Sequence, residues 1–318
     1  MHDMRHKAFA RHAGCLALLL AILLCACGSV HLGRPEGPAR AAPSRPVAYT
    51  VIRDIVVSPP GWPQTLLADL YRPDGQGPFP GIVLVHGGGW KRGDRGQVEK
   101  HAKRLAADGY LVLNTTYRLV PRAIFPAQLQ DVQQAVLWMR RSGPQYGVDP
   151  ARIGGFGYSA GAHLISLAAA VAGDREWGAE GTELQAIVAG GNPSDLSRYE
   201  GGKLVPAFLG TTQKENPELF RAASPLTHVR PGHPPVFQYH GTLDELVPIE
   251  QAYGYKAALD RAGVANELFI LRGHGHISAF FADGDAIEAA LAFLDRYLRH
   301  AQTRKPQPGV RSAKAAAR

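Results

Sequence analysis

Gly157-Tyr158-Ser159-Ala160-Gly161 is the stretch on which the reading of this chain turns. Before it, Ala151 to Phe156 has the make-up of a short strand; after it, Ala160 to Ala172 is a run of good helix formers. A strand that turns sharply into a helix with a serine at the tip is a nucleophile elbow. Glycines on both sides of Ser159 let the backbone take the tight turn that leaves the hydroxyl exposed. A serine hydroxyl is a poor nucleophile near neutral pH. It needs a base, an acid to orient that base, and donors for the oxyanion it creates.

Working outward, the body alternates strand and helix, which predicts an α/β fold with a mostly parallel sheet covered on both faces. Strands are expected at Val47 to Val57, Thr65 to Tyr71, Gly81 to Val85, Tyr110 to Leu113, Ile153 to Phe156, Ala186 to Ala189, Val236 to Tyr239 and Glu267 to Leu271. Helices are expected at Gln97 to Asp108, Pro126 to Arg141 and Asp285 to Leu298. Residues 191–235 are rich in Pro and Gly and too long for an ordinary connection. They read as a short cap of broken helices over the site, where substrate selection would sit. No internal repeat and no second domain interrupts the body.

Each missing part of the chemistry is sought after a strand, where sites gather in such sheets. Val85 runs into His86-Gly87-Gly88-Gly89-Trp90. Consecutive glycines let amides converge on one point, so Gly88, Gly89 and the Ala160 amide at the following helix N-terminus are the candidate oxyanion donors. No Lys-Ser/Thr pair follows these glycines, which argues against a phosphate loop. Val236 to Tyr239 runs into His240-Gly241-Thr242-Leu243-Asp244, placing Asp244 just past a strand end, with Glu245 as its neighbouring competitor. Phe269 to Leu271 runs into Arg272-Gly273-His274-Gly275-His276, which offers two histidines. Ser159, Asp244 and either of these histidines, His274 or His276, stand in the chain order Ser, Asp, His. A metal pair at His274 and His276 lacks a carboxylate–histidine set at ligand spacing, so neither metal nor cofactor is expected.

Composition bounds the rest. The 318 residues are 45% hydrophobic and 19% charged, enough for one large domain. The net charge of +8 invites a nucleic-acid reading, but the basicity lies in the tails. Arg5, Lys7, Arg11, Arg34, Arg40 and Arg45 outnumber Asp3 and Glu36 near the start, and Arg304, Lys305, Arg311, Lys314 and Arg318 crowd the end. The body carries about −1. No basic groove with interleaved aromatics is visible, so no nucleic-acid partner is expected.

The N-terminus reads as a targeting segment. A basic region precedes the apolar run Leu16 to Leu24, too short to span a bilayer, and Leu24-Cys25-Ala26-Cys27 follows. That pattern resembles a bacterial lipoprotein processing site with Cys27 lipidated, the alternative being an ordinary secretory signal cleaved nearby. The expected organisation is a signal peptide at 1–26, a flexible tether at 27–46, a catalytic domain at 47–300 with its cap at about 191–235, and a disordered basic tail at 301–318. With Cys15 and Cys25 in the signal and Cys27 at the anchor, the body is thiol-free, suited to an oxidising compartment. By resemblance to bacterial lipoproteins, Gly28 after Cys27 implies the outer membrane.

The body resembles the hormone-sensitive-lipase side of the α/β-hydrolases, and within it the feruloyl-esterase-like BD-FAE esterases. The likeness runs from about Ala48 to His300. It is carried by His86-Gly87-Gly88-Gly89-Trp90, Tyr117-Arg118-Leu119, Phe125-Pro126-Ala127, Asp131, Gly157 to His163, Ser224-Pro225-Leu226, His240 to Asp244 and Gly275-His276. The resemblance implies an α/β-hydrolase fold and a serine esterase working on a small-molecule ester. It implies Ser159, Asp244 and His276 as the triad, since the family's base ends a Gly-x-Gly-His loop. It also implies Gly88, Gly89 and Ala160 as oxyanion donors, Trp90 and Tyr158 at the substrate pocket, and structural roles for His86 and His163. Asn192-Pro193-Ser194 departs from the Gly-Pro-Ser or Gly-Pro-Thr of related chains, which bears on the pocket near the cap. Short-chain acyl, aryl or carbohydrate esters are the expected substrates. An arylformamidase-like amide hydrolase shares the His-Gly-Gly-x-Trp loop. An inactive hydrolase fold serving as an envelope binding protein, or a structural lipoprotein, are the readings from other classes. Nothing in the sequence sets an oligomeric state.

Overall fold

The computed structural model describes residues 28–35, 46–199 and 201–299. The expected signal segment at 1–26, Cys27, the tail at 301–318 and residues 36–45 of the expected tether lie outside the described residues. The described strands are β1 (Val30–Leu32), β2 (Tyr49–Val56), β3 (Leu67–Pro73), β4 (Phe79–Val85), β5 (Leu111–Thr115), β6 (Val148–Tyr158), β7 (Ile187–Gly190), β8 (Val236–Gly241) and β9 (Asn266–Leu271). They form one nine-stranded sheet in the order β1-β9-β8-β7-β6-β4-β5-β3-β2. Strands β4 to β9 pair in parallel wherever they neighbour one another; β1, β2 and β3 join antiparallel at the edges.

The helices are α1 (Glu99–Ala107), α2 (Ala127–Arg141), α3 (Ala160–Val171), α4 (Leu204–Leu209), α5 (Pro217–Ala222), α6 (Glu250–Arg261), α7 (His276–Phe281) and α8 (Gly284–Leu294). Successive strand residues face opposite sides, so the continuous apolar run of β4 feeds two cores. Val83 and Val85 pack with α2 and α3 through Leu129, Val132, Leu164 and Leu167. Ile82 and Leu84 pack with α1 and α8 through Ala102, Leu105, Ile287 and Leu291. The loops that carry Gly88, Ser159, Asp244 and His276 leave the sheet at the end where β4, β6, β8 and β9 finish.

Several elements differ from expectation, among them α7 (His276–Phe281), which was not expected, and β6, which starts at Val148 rather than Ile153. The tether reading fails at Val30–Leu32, which adds to the β9 edge in register Val30↔Ile270, His31↔Phe269, Leu32↔Leu268. The reason is side-chain docking: His31 pairs with Glu267 at 2.7 Å and lies against Phe237 and Phe269, while Val30 and Leu32 pack on Leu268 and Ile270. Helix α6 was not anticipated either, because Gly254 interrupts it and its buried positions include the small Ala252 and Ala258. The last helix ends earlier than Leu298, passing into a π turn over Asp295–Arg299. Residues 191–235 hold α4, α5 and two short 3₁₀ turns at Leu196–Arg198 and Pro225–His228.

One buried ion pair fixes the passage from β5 to α2. Asp131 is fully buried and accepts from the Arg118 amide at 2.8 Å, the Arg118 Nε at 2.8 Å and the Trp62 indole at 2.8 Å. The Arg118 guanidinium also donates to Ala127 O at 3.0 Å. Removing one partner of such a pair strands the other charge in the interior, which outweighs the modest net value of the pair itself. Asp131→Ala is expected to cost about 3–5 kcal/mol in urea unfolding. The Asp131→Ala/Arg118→Ala double variant should lose less than the sum of the two single losses. A single-variant loss below about 1 kcal/mol would contradict this account.

Candidate active site

Ser159 sits between β6 and α3 with φ +54° and ψ −122°, a backbone region that strongly disfavours a side chain. The positive φ falls on the serine itself. The flanking glycines serve a different purpose from the flexibility expected of them: they let backbones touch. A Cβ on Gly161 would stand 2.1 Å from Val85 O, and one on Gly157 would stand 2.4 Å from Gly161 C. Helix α3 therefore begins directly against the end of β4, and the Ser159 amide is tied to Gly190 O at 2.8 Å.

The structure brings Ser159, His276 and Asp244 into one hydrogen-bonded line. Ser159 Oγ lies 2.9 Å from His276 Nε2, and His276 Nδ1 lies 2.6 Å from Asp244 Oδ2. Asp244 follows β8, and His276 opens α7 after β9. The neighbours that competed with them in the sequence are elsewhere: Glu245 is exposed, and His274 stays in the loop, its carbonyl accepting from the Leu243 amide at 2.9 Å.

Asp244 is buried, which opposes its charge, but its hydrogen bonds prevail. His240, His276 and the Val247 amide together hold the carboxyl well below the usual carboxylate range. Oδ1 accepts from Val247 N at 2.7 Å and Leu246 N at 3.1 Å, while His240 Nε2 stands 3.4 Å from Oδ2 and donates to Val247 O at 2.7 Å. This support from His240 was not read from the sequence, although its motif was quoted. Its signal is the four-residue step from a strand-end histidine to the loop acid.

The glycine loop lies beside the serine. Gly88 and Gly89 have φ +101° and +61°, and with Ala160 they line the cleft that contains Ser159. Among the described residues neither Gly88 N nor Gly89 N donates to a backbone carbonyl. The loop is held from behind. Tyr117 Oη donates to His86 O at 3.2 Å and Gly87 O at 3.0 Å, and Val120 N donates to Trp90 O at 3.1 Å. The Arg118–Asp131 pair thus anchors the segment that braces this loop.

Trp90 and Tyr158 both line the cleft, and both are largely buried. The Trp90 ring stacks on Phe208 of α4 at 4.4 Å and meets His163 edge-on at 5.2 Å, so it joins the glycine loop to the cap. The Tyr158 hydroxyl donates to His276 O at 2.5 Å, and burial pushes its ionisation far above the ordinary tyrosine range. Tyr158 therefore braces the loop of the histidine as well as walling the cleft. Asn192 Nδ2 donates to Ser166 Oγ at 3.2 Å, and Ser194 Oγ to Gln251 O at 2.8 Å, so this departure from the family pattern is spent on packing the cap base.

His86 and His163 touch neither Ser159 nor Asp244 by any hydrogen bond. His86 stacks on Tyr117 at 4.4 Å, and His163 Nε2 donates to Ala223 O at 2.7 Å. Burial pushes both imidazoles down to about 4. Among the described residues, no group of three or more His, Cys, Asp or Glu could hold a metal ion, and no helix is long and apolar enough to cross a membrane.

The BD-FAE family profile matches residues 68–259. Esterase LipQ of Mycobacterium tuberculosis is 34% identical over 65% of this chain and 52% of its own length; esterase LipC of the same organism is 32% identical over 63% and 53%. The chain spans about half the length of these curated relatives. Among solved structures, Thermogutta terrifontis esterase 2 phosphoramylated by tabun is 27% identical, covering 84% of this chain and 100% of that one with a TM-score of 0.66. A truncated carbohydrate esterase from gut microbiota, 22% identical, covers 82% of this chain and 100% of that one with a TM-score of 0.70. The fold is that of the α/β-hydrolases.

Two outcomes follow from the site's packing. Alanine is a better helix former than glycine by about 1 kcal/mol, yet Gly161→Ala is expected to destabilise by at least about 1–3 kcal/mol because its methyl meets backbone. A stability gain in thermal unfolding would refute the contact. His163 is neutral in the fold and takes up a proton on unfolding near pH 6.5. Stability is therefore full above that pH and declines as pH falls towards about 4, with roughly 1.4 kcal/mol per pH unit from this group. His163→Asn should lower the proton uptake on unfolding between pH 6 and 4.5 by about one; an unchanged slope would show that His163 is not held neutral.

Proposed function

The chain belongs to the BD-FAE family of α/β-hydrolases, and from that membership we propose that it is a serine carboxylic-ester hydrolase. The observation that carries the proposal is the line Ser159–His276–Asp244, with contacts of 2.9 and 2.6 Å, at the floor of a cleft of about 970 Å³. His276 Nδ1–H donates to Asp244, which leaves Nε2 to take the Ser159 proton as Oγ attacks the ester carbonyl. The negative charge that develops on the carbonyl oxygen is met by the amides of Gly88, Gly89 and Ala160, at the positive end of α3. His276 then returns the proton to the leaving alcohol, giving an acyl-enzyme and free alcohol. Water, deprotonated by His276, attacks the acyl carbonyl and restores Ser159.

The cap and the walls formed by Trp90 and Tyr158 support small acyl groups on aryl or carbohydrate alcohols as substrates. The names of the relatives, esterases and a carbohydrate esterase, support the same class. The pattern Leu24-Cys25-Ala26-Cys27 supports anchoring by a lipid on Cys27 in a bacterial envelope, in the outer membrane by virtue of Gly28.

With p-nitrophenyl acetate as substrate, Ser159→Ala is expected to lower kcat about 10⁶-fold. Asp244→Asn, which leaves the imidazole in the wrong tautomer, should lower it about 10⁴-fold. An organophosphonate should label the parent stoichiometrically and the Ser159→Ala variant not at all. Turnover that survives Ser159→Ala would remove the proposed nucleophile.

A further inference from the structure

Strand β1 determines where the chain's N-terminal segment leaves the domain. It runs antiparallel to β9, with Val30 opposite Ile270 and Leu32 opposite Leu268. Residues before Val30 therefore head towards the end of β9 at Leu271, the end that carries the His276 loop. Gly28 is exposed there, with open space around it. Cys27 precedes Val30 by three residues in the sequence, a length of chain that spans at most about 10 Å when fully extended. The linker from Leu32 to Tyr49 joins opposite edges of the sheet, so it adds nothing to the distance between Cys27 and the domain.

The same end carries an uncovered apolar rim. Ile277 and Phe281 lie one helical turn apart on α7 and are 65% and 71% exposed. Leu243 and Leu246, in the loop after β8, are 63% and 48% exposed, and the Leu243 amide is bonded to the His274 carbonyl. Ile277, Phe281 and Leu246 also line the cleft, so the rim is part of its mouth. Large apolar side chains so grouped and so exposed mark a surface that is covered in use. The exposed cations Lys91, Arg92 and Lys203 line the same cleft and form no ion pair among the described residues. Glu245 is the exposed carboxylate between Leu243 and Leu246.

We propose that this end of the molecule rests on the bilayer that holds Cys27. Leu243, Leu246, Ile277 and Phe281 dip into the interface, Lys91, Arg92 and Lys203 face anionic headgroups, and the cleft opens onto the membrane surface. The inference rests on the reading of Cys27 as lipidated. Its physical content is that the exit of the described chain at Gly28, an apolar rim and the cations lining the cleft belong to one end of the sheet. The esters it reaches are then those presented at the bilayer surface, with the apolar part of the alcohol lying along Ile277 and Phe281.

The test uses the processed chain with Cys27→Ser, which carries no lipid and no thiol. A single cysteine is placed at Phe281 or, as the control at the opposite end of the sheet, at Gln145, and carries an environment-sensitive fluorophore. On vesicles of phosphatidylethanolamine and phosphatidylglycerol (3:1), the label at 281 should shift to the blue and the label at 145 should not. Leu243→Ser should lower the vesicle-bound fraction about tenfold while turnover of p-nitrophenyl acetate in solution stays as in the parent. No shift at 281, equal shifts at both sites, or a shift without vesicles accompanied by dimer mass would overturn the proposal, the last by assigning the rim to a second copy. The anchor is tested separately, by the mass of Cys27 in protein isolated from the envelope. Neither fluorescence nor flotation depends on catalysis, so a failed membrane contact and a failed esterase reading give different results.

Discussion

The left-handed backbone of Ser159 is the constraint on which the rest of this molecule depends. A serine at φ +54° is held only where its surroundings leave no alternative. Here the surroundings are backbone: α3 abuts the end of β4 because Gly161 has no side chain, and β6 approaches α3 because Gly157 has none. Two strands and a helix thus meet at one point, with the Ser159 amide tied to β7 through Gly190 O. The hydroxyl is aimed by this contact and not by a rotamer choice alone.

Around that point the fold places a second layer of fixed groups. The glycine loop after β4 is held by Tyr117, by Val120 and, through Arg118, by the buried Asp131. Trp90 continues the chain of contacts into the cap by stacking on Phe208. His276 is held at three places: its ring at Nδ1 by Asp244 and at Nε2 by Ser159, and its backbone carbonyl by Tyr158. Asp244 is in turn held by two amides and by His240. Such bracing is what a preorganised site requires, since a displacement of about 1 Å is enough to cost much of the rate.

Much of this was legible in the chain. Strands such as β4 and β8 announce themselves as apolar runs ended by glycine, and the residues that follow them are the ones the structure gathers. The choice of Asp244 over Glu245 is explained by burial, which the sequence does not display. The choice of His276 over His274 rested on a family pattern; in the fold it reflects the turn into α7, which directs one ring at Ser159 and leaves the other in the loop. Strand β1 was unreadable because three residues in a Pro- and Ala-rich stretch carry no period, and its stability comes from His31 against Glu267 and Phe269. Helix α6 was hidden by Gly254 and by apolar positions too small to make a stripe.

The sequence by itself determined the alternation of elements, the glycine-bounded turns and the loops that carry Ser159, Asp244 and His276, because these depend on neighbours within a few residues. The tertiary structure alone decided which side chains meet. Ser159 and His276 are 117 positions apart, and His31 and Glu267 are 236 apart. Contacts of that span are fixed by strand order and by backbone packing at Gly157 and Gly161. They, and not any local pattern, set the line through the site and bring the residue after Cys27 out at the same end of the sheet as the cleft.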